Sequence, residues 1–155
     1  MKIACTSGCY DLIHAGHIWM FQKMRKTVGA TGLVIVLLND DNYLLRTKGR
    51  VITPLDERMT ILLALKNIDV VIPFKDDNPC QIIQTFEPDF WFKGPEYQGI
   101  EIPETPVVAS YGGKIVFSQD GPTVHTRDIL SRIHQFKFKQ TGGYTNLYGT
   151  DFAGK

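Results

Sequence analysis

Apolar positions along the chain come in short continuous runs separated by amphipathic ones. Ile3 to Thr6 is a brief apolar run that breaks at Ser7 and Gly8. Ile18, Met20, Phe21 and Met24 then recur at helical spacing, so the order reads strand, glycine turn, helix. After Gly29 and Gly32, the run Leu33 to Leu38 is unbroken and β-branched in part, as expected of a parallel strand buried on both faces. Thr53-Pro54-Leu55-Asp56 predicts a helix start, with Thr53 as cap, Pro54 in the first turn and Asp56 completing an acidic capping box. Leu55, Met59, Leu62, Leu63 and Leu65 supply its apolar face. Val70 to Ile72 is a third strand, Asn78-Pro79 opens a short helix through Ile82, Ile83 and Phe86, and Asp89 to Phe92 is a fourth strand. Gly112 and Gly113 lead into a fifth, Lys114 to Phe117, and a last helix starts near Thr126 with Ile129, Leu130 and Ile133 inward. Strands alternating with helices predict a three-layer α/β/α, Rossmann-like parallel five-stranded sheet in a single domain, residues 1–134. From Gln135 to Lys155 the pattern is lost in a polar, glycine-rich, aromatic stretch, read as an arm ordered on contact or a flexible tail.

Composition narrows this only slightly. A chain of 155 residues suffices for one full hydrophobic core. A net charge of +1 offers no electrostatic footprint for nucleic acid or an anionic membrane. No apolar run approaches the ~20 residues of a membrane helix. The N-terminus enters a strand at once, so no signal peptide is expected. Cys5, Cys9 and Cys80 are odd in number and lack a framework spacing, which suits a reducing cytoplasm.

Candidate chemistry concentrates at the first turn, Thr6-Ser7-Gly8-Cys9-Tyr10-Asp11-Leu12-Ile13-His14-Ala15-Gly16-His17. A strand-turn-helix junction gathers backbone N–H groups and the positive end of a helix, which suits a bound phosphate. His14 and His17 are three residues apart, so both imidazoles can face one anion. Cys5, Cys9, His14 and His17 also form C-x3-C-x4-H-x2-H, a second reading as a zinc site. Zinc fingers keep about 12 residues between the two pairs, whereas four separate Cys9 from His14 here, and Cys5 lies in an apolar strand where a buried thiol is ordinary. After the second strand come Arg46, Lys48 and Arg50, three cations in five residues. They form either a solvated loop or a ligand site at the carboxyl end of a strand. Arg58 is a surface charge or a phosphate ligand, and periodicity does not decide.

Gly8-Cys9-Tyr10-Asp11-Leu12-Ile13-His14-Ala15-Gly16-His17 resembles the GxFDxxHxGH signature of the HxGH nucleotidyltransferase, or cytidylyltransferase-like, superfamily, with Tyr10 in place of the usual Phe. Over roughly Lys2 to Ile133 the chain looks most like the adenylyltransferase domain of bacterial ADP-heptose synthase. The matches are Arg46 to Gly49, Pro54 through Glu57-Arg58 to Ala64-Leu65, and Asp69-Val70-Val71. Phe92-Lys93-Gly94 resembles that branch's V-K-G-G-D-Y, with Pro95 and Glu96 substituted. His125-Thr126-Arg127-Asp128-Ile129 stands where the branch has Ser-Thr-Thr-x-Ile, and only Thr126 keeps its hydroxyl.

The resemblance implies transfer of a nucleoside monophosphate, AMP from ATP, to a phosphorylated sugar such as heptose 1-phosphate, with release of pyrophosphate. It implies that His14, His17 and Lys48 are catalytic and that Thr6, Ser7, Gly8, Cys9, Tyr10, Asp11, Gly16, Lys93, Gly94, Thr126 and Arg127 bind the nucleotide. Arg46 and Arg58 would bind the acceptor. Mg2+ would be held mainly through the phosphates, with Asp11 as its protein ligand. A homodimer in the cytoplasm is the default for the family. Two alternatives stay open: a CTP:glycerol-3-phosphate cytidylyltransferase, and a catalytically weak nucleotide-binding protein of the same fold.

Overall fold

The computed structural model describes residues 1–122 and 124–135, with the backbone of two further short strands, 144–145 and 151–152. The rest of the expected C-terminal arm lies outside the described residues. The chain clusters into two compact units, Met1–Thr123 and Val124–Lys155.

The first unit is built on a five-stranded parallel sheet in the order β3-β2-β1-β4-β5. Its strands are β1 (Ile3–Gly8), β2 (Leu33–Asn39), β3 (Val70–Phe74), β4 (Phe90–Lys93) and β5 (Lys114–Phe117). The helices of this unit are α1 (Ala15–Val28), α2 (Asp41–Lys48), α3 (Leu55–Leu63), α4 (Cys80–Phe86) and α5 (Glu104–Ser110).

The strands obey a period of two. Val34, Val36, Leu38 and Phe92 face one layer, where they meet Met20, Phe21, Met24 and Val28 of α1 and Leu62 of α3. Ile35, Leu37 and Trp91 face the other, with Ile83 of α4 and Val108 of α5. Both faces of the sheet are therefore covered by helices, which is why β2 reads as a continuous apolar run. Asp69, just before β3, accepts the Val34 N–H at 2.7 Å and pairs with Arg25 of α1. That ties the β3 edge to the centre. Pro73 sits on β3, the edge strand, where a missing N–H costs no ladder bond.

Three local expectations need correction. Thr53 does not cap α3: Pro54 holds that position without a side-chain bond, and the Thr53 hydroxyl instead donates to the Asp11 carbonyl at 2.5 Å. Arg46 and Lys48 are not in a loop but in the last turn of α2, which Asp40 caps by accepting the Tyr43 N–H at 2.8 Å. The segment before Gly112 holds a helix, α5, that the hydrophobic pattern does not announce.

In the second unit, α6 (Thr126–His134) starts where expected, with His125 as N-cap and Asp128 accepting the His125 N–H at 2.7 Å. Tyr144–Thr145 and Asp151–Phe152 pair as an antiparallel ribbon, β6 and β7.

Candidate active site

The chain leaves β3 on one side of the sheet and resumes at β4 on the other, so β1 and β4 flank the point where strand order reverses. Open α/β sheets bind ligands there, outside the carboxyl ends of the strands. The segment leaving β1 is shaped first by Tyr10. Its φ of 48° lies in the left-handed region, which costs a non-glycine residue about 1–2 kcal/mol. The buried ring packs edge-on to His17 at 5.0 Å and against Phe21 at 5.5 Å. Burying a ring of that size returns about 2–3 kcal/mol, enough to hold the strained turn. Gly8 lies directly beneath this ring: a Cβ there would sit 3.0 Å from it.

The turn delivers His14 to the N-cap of α1 and His17 to its first turn. The two rings stack, with centroids 3.6 Å apart and planes 22° from parallel. The His14 N–H donates to His17 Nδ1 at 3.4 Å, and the His17 N–H donates to the His14 carbonyl at 2.9 Å, so the two residues hold each other across the first turn. A neutral imidazole whose Nδ1 accepts carries its proton on Nε2, so His17 is set up as an Nε2–H donor. Gly16 makes the stack fit. A Cβ at this position would lie 3.2 Å from the His14 ring and 3.1 Å from the Pro122 carbonyl.

Several of the expected site residues also brace the loops around them. Thr6 is buried, and its hydroxyl donates to the Phe92 carbonyl at 2.9 Å, joining β1 to β4. Asp11 is buried too, and its Oδ1 accepts the N–H groups of Ile52 and Thr53 at 2.9 and 2.8 Å. A carboxylate committed to two backbone donors suits loop bracing better than metal ligation. The Arg58 side chain is 0% exposed. Its guanidinium donates to the carbonyls of Thr53 (2.9 Å), Cys9 (2.6 Å) and Asn39 (2.8 Å) and to the Asp41 carboxylate (2.6 Å). Arg58 is thus neither a surface charge nor placed to touch an acceptor. Its bracing role has no signal in the sequence, because its partners come from three separate stretches of chain: Cys9, Asn39 to Asp41, and Thr53.

Arg46 is half exposed and pairs with Asp77 beyond β3, with its guanidinium 5.9 Å from the Tyr43 ring. Lys48 is exposed at the end of α2, close enough to Cys9 that its charge pulls the thiol pKa down. Arg58 acts the same way, but burial outweighs both, and the Cys9 pKa is raised. Ser7, Gly8 and Cys9 are half-buried at the β1 exit. On the β4 side, Lys93 is buried and paired with Glu104 of α5 at 2.6 Å, its ammonium 4.8 Å from the Tyr97 ring and 5.7 Å from the Trp91 ring. Glu104 carried no sequence signal. Gly94 follows, with the Glu96 carboxylate folded against it.

Thr126 and Arg127 form the first turn of α6 in the second unit, with Arg127 largely exposed and 3.9 Å from the Asp128 carboxylate. Cys5 packs into the core on the face opposite Tyr10, and burial pushes its thiol far above the ordinary range, so it does not join the histidines. Among the described residues no group of three His, Cys, Asp or Glu side chains converges to hold a metal ion. Nor is any helix among them long and apolar enough to cross a membrane.

A doubly wound sheet with a histidine pair over a glycine at the β1 exit defines the nucleotidyltransferase class. The chain belongs to the cytidylyltransferase-like family, whose model matches residues 5–110. It is 37% identical over 134 residues to the bifunctional protein HldE of Halorhodospira halophila, covering 85% of this chain and 28% of that protein. To the bifunctional protein HldE of Pectobacterium atrosepticum it is 39% identical over 136 residues, covering 85% and 27%. The chain therefore spans about a quarter of the length of these curated relatives. Among solved structures, a lipopolysaccharide core biosynthesis protein from Thermoplasma volcanium superposes with a TM-score of 0.63 at 22% identity, covering 76% of this chain and 95% of that one. At that identity the likeness concerns the fold.

Proposed function

We propose that the chain transfers AMP from ATP to a phosphorylated sugar of the heptose 1-phosphate class and releases pyrophosphate. The observation that carries this reading is the stacked pair His14 and His17 above Gly16, at the N-terminus of α1 and the exit of β1. An acceptor phosphate oxygen attacks the α-phosphorus, the bond to the bridging oxygen breaks, and pyrophosphate leaves. The acceptor phosphate is already ionised at neutral pH, so no strong general base is needed. The residues have instead to align two polyanions and to stabilise charge that grows on the transferred and leaving phosphates.

His14, His17 and the first-turn N–H groups of α1 do this on the β1 side. Lys48 offsets the repulsion as the acceptor approaches. Lys93 and Gly94 hold the nucleoside side beyond β4, with the Lys93 charge compensated by Glu104 and the Glu96 carboxylate lying against Gly94. Magnesium fits as an ion carried on phosphate oxygens, because the described residues offer no cage of carboxylates. The sugar branch is favoured by 37–39% identity to bifunctional HldE proteins over most of this chain. A homodimer in the cytoplasm belongs to the same reading.

A panel of ATP and CTP against sugar 1-phosphates and glycerol 3-phosphate, followed by pyrophosphate release, tests the assignment. ATP with a sugar 1-phosphate should be the productive pair by tenfold or more. CTP with glycerol 3-phosphate as the better pair would move the chain to cytidylyl transfer. No turnover with any pair, alongside tight nucleotide binding, would leave a binding protein.

A further inference from the structure

We infer that Arg58 is a positioning residue for the reaction: a buried guanidinium that locks the segment bearing Lys48 to the loop bearing the histidines. This rests on the nucleotidyl-transfer reading above. Four bonds from Arg58 reach three stretches of chain. The Cys9 carbonyl belongs to the β1 exit, Asn39 to the end of β2, Asp41 to the start of α2 and Thr53 to the segment before α3. The segment after α2 is held from a second direction. Asp11, two residues beyond Cys9, takes the Ile52 and Thr53 N–H groups on one carboxylate oxygen, and its carbonyl accepts the Thr53 hydroxyl.

The stretch 41–53 is therefore stapled near both ends to the loop that leads into His14. At its start the staple is Arg58 to Asp41; at its end it is Asp11 to residues 52 and 53 and Arg58 to the Thr53 carbonyl. Lys48 lies between the two staples, at the end of α2. Its side chain is flexible, but the backbone that carries it is fixed relative to Cys9 and Asp11. A lysine at position 58 would keep the charge and lose the planar fork, so it could not serve acceptors on several sides at once. The distance between Lys48 and the histidines would then vary. Loss of alignment of that order lowers turnover without a matching loss of ground-state binding.

The test is Arg58→Lys, with circular dichroism as the check on folding and two readouts. The first is kcat against KM. We expect kcat to fall tenfold or more while the KM for ATP stays within about threefold. The second needs no activity: the alkylation rate of Cys9, whose carbonyl Arg58 holds, against Cys80 as internal reference. Both thiols are half-buried. Cys9 should react severalfold faster in the variant, with Cys80 unchanged.

Unchanged Cys9 reactivity would overturn the clamp. Faster Cys9 reactivity with kcat intact would overturn its role in positioning. If Arg58→Lys does not fold, Asp41→Ala removes one staple at a side chain 39% exposed and is read by the same two measurements and the same criteria. A wild-type protein that releases no pyrophosphate refutes the reaction assignment, whereas the alkylation readout still decides whether the clamp exists.

Discussion

Tyr10 stands where the family signature carries Phe, and its hydroxyl adds little. The group is buried and reaches the Thr6 hydroxyl only at 3.5 Å, while Thr6 already donates to the Phe92 carbonyl at 2.9 Å. Removing it leaves no strong donor or acceptor stranded. Tyr10→Phe should therefore change stability by less than ~1 kcal/mol in urea unfolding, and a loss above ~2 kcal/mol would show that the hydroxyl is structural. Gly16 behaves oppositely. Gly16→Val should leave the fold intact but displace the His14 ring, with turnover falling tenfold or more. Wild-type turnover would mean that the histidine stack is incidental. His14, Gly16 and His17 were legible in the sequence because their geometry is local, set within one turn. The bracing role of Arg58 was not, since its acceptors lie from 5 to 49 residues away and only the folded sheet brings them together.

At the scale of elements, hydrophobic period recovered all five strands of the sheet and the helices with a broad apolar face. It missed α2, which buries only Leu44, and α5, whose seven residues include Pro106 and two valines. A single buried leucine makes no stripe, and proline is tolerated only because it sits in the first turn, where N–H groups have no intrahelical acceptor. The start of α3 was misplaced for a related reason. Thr53 has a cap's chemistry, but Asp11 competes for it across the sheet edge. The α5 helix matters because it brings Glu104 to Lys93. Both are buried, so breaking the pair leaves an uncompensated charge worth about 3–5 kcal/mol. Glu104→Ala should show that loss in chemical denaturation, and the double replacement Lys93→Met with Glu104→Leu should restore most of it. A loss below ~1 kcal/mol for Glu104→Ala would place the pair in effective contact with water.

At the scale of the whole molecule, function follows from strand order. Reversal between β1 and β4 puts the histidine turn and Gly94 at neighbouring strand ends, and the β1–β2 pairing brings the segment after β2 beside them. The alternation of strands and helices foretold a parallel sheet, but the order of strands became known only from the pairing itself. Lys48 belongs to this scale, since nothing local assigns it. Lys48→Ala should lower turnover more than it lowers ATP affinity in calorimetric titration, because its charge is needed as the acceptor approaches. An equal loss in both would move Lys48 to the nucleotide. The central claim, that the histidine pair acts on phosphate in the transition state, is tested most directly by one comparison. Single-turnover pyrophosphate release is measured in wild type and His17→Ala at saturating ATP and sugar 1-phosphate. A donor aimed at developing phosphate charge is worth ~3 kcal/mol, so the variant should be slower by about 10²–10³ with ATP affinity within a few fold. A variant that turns over within a few fold of wild type contradicts the account.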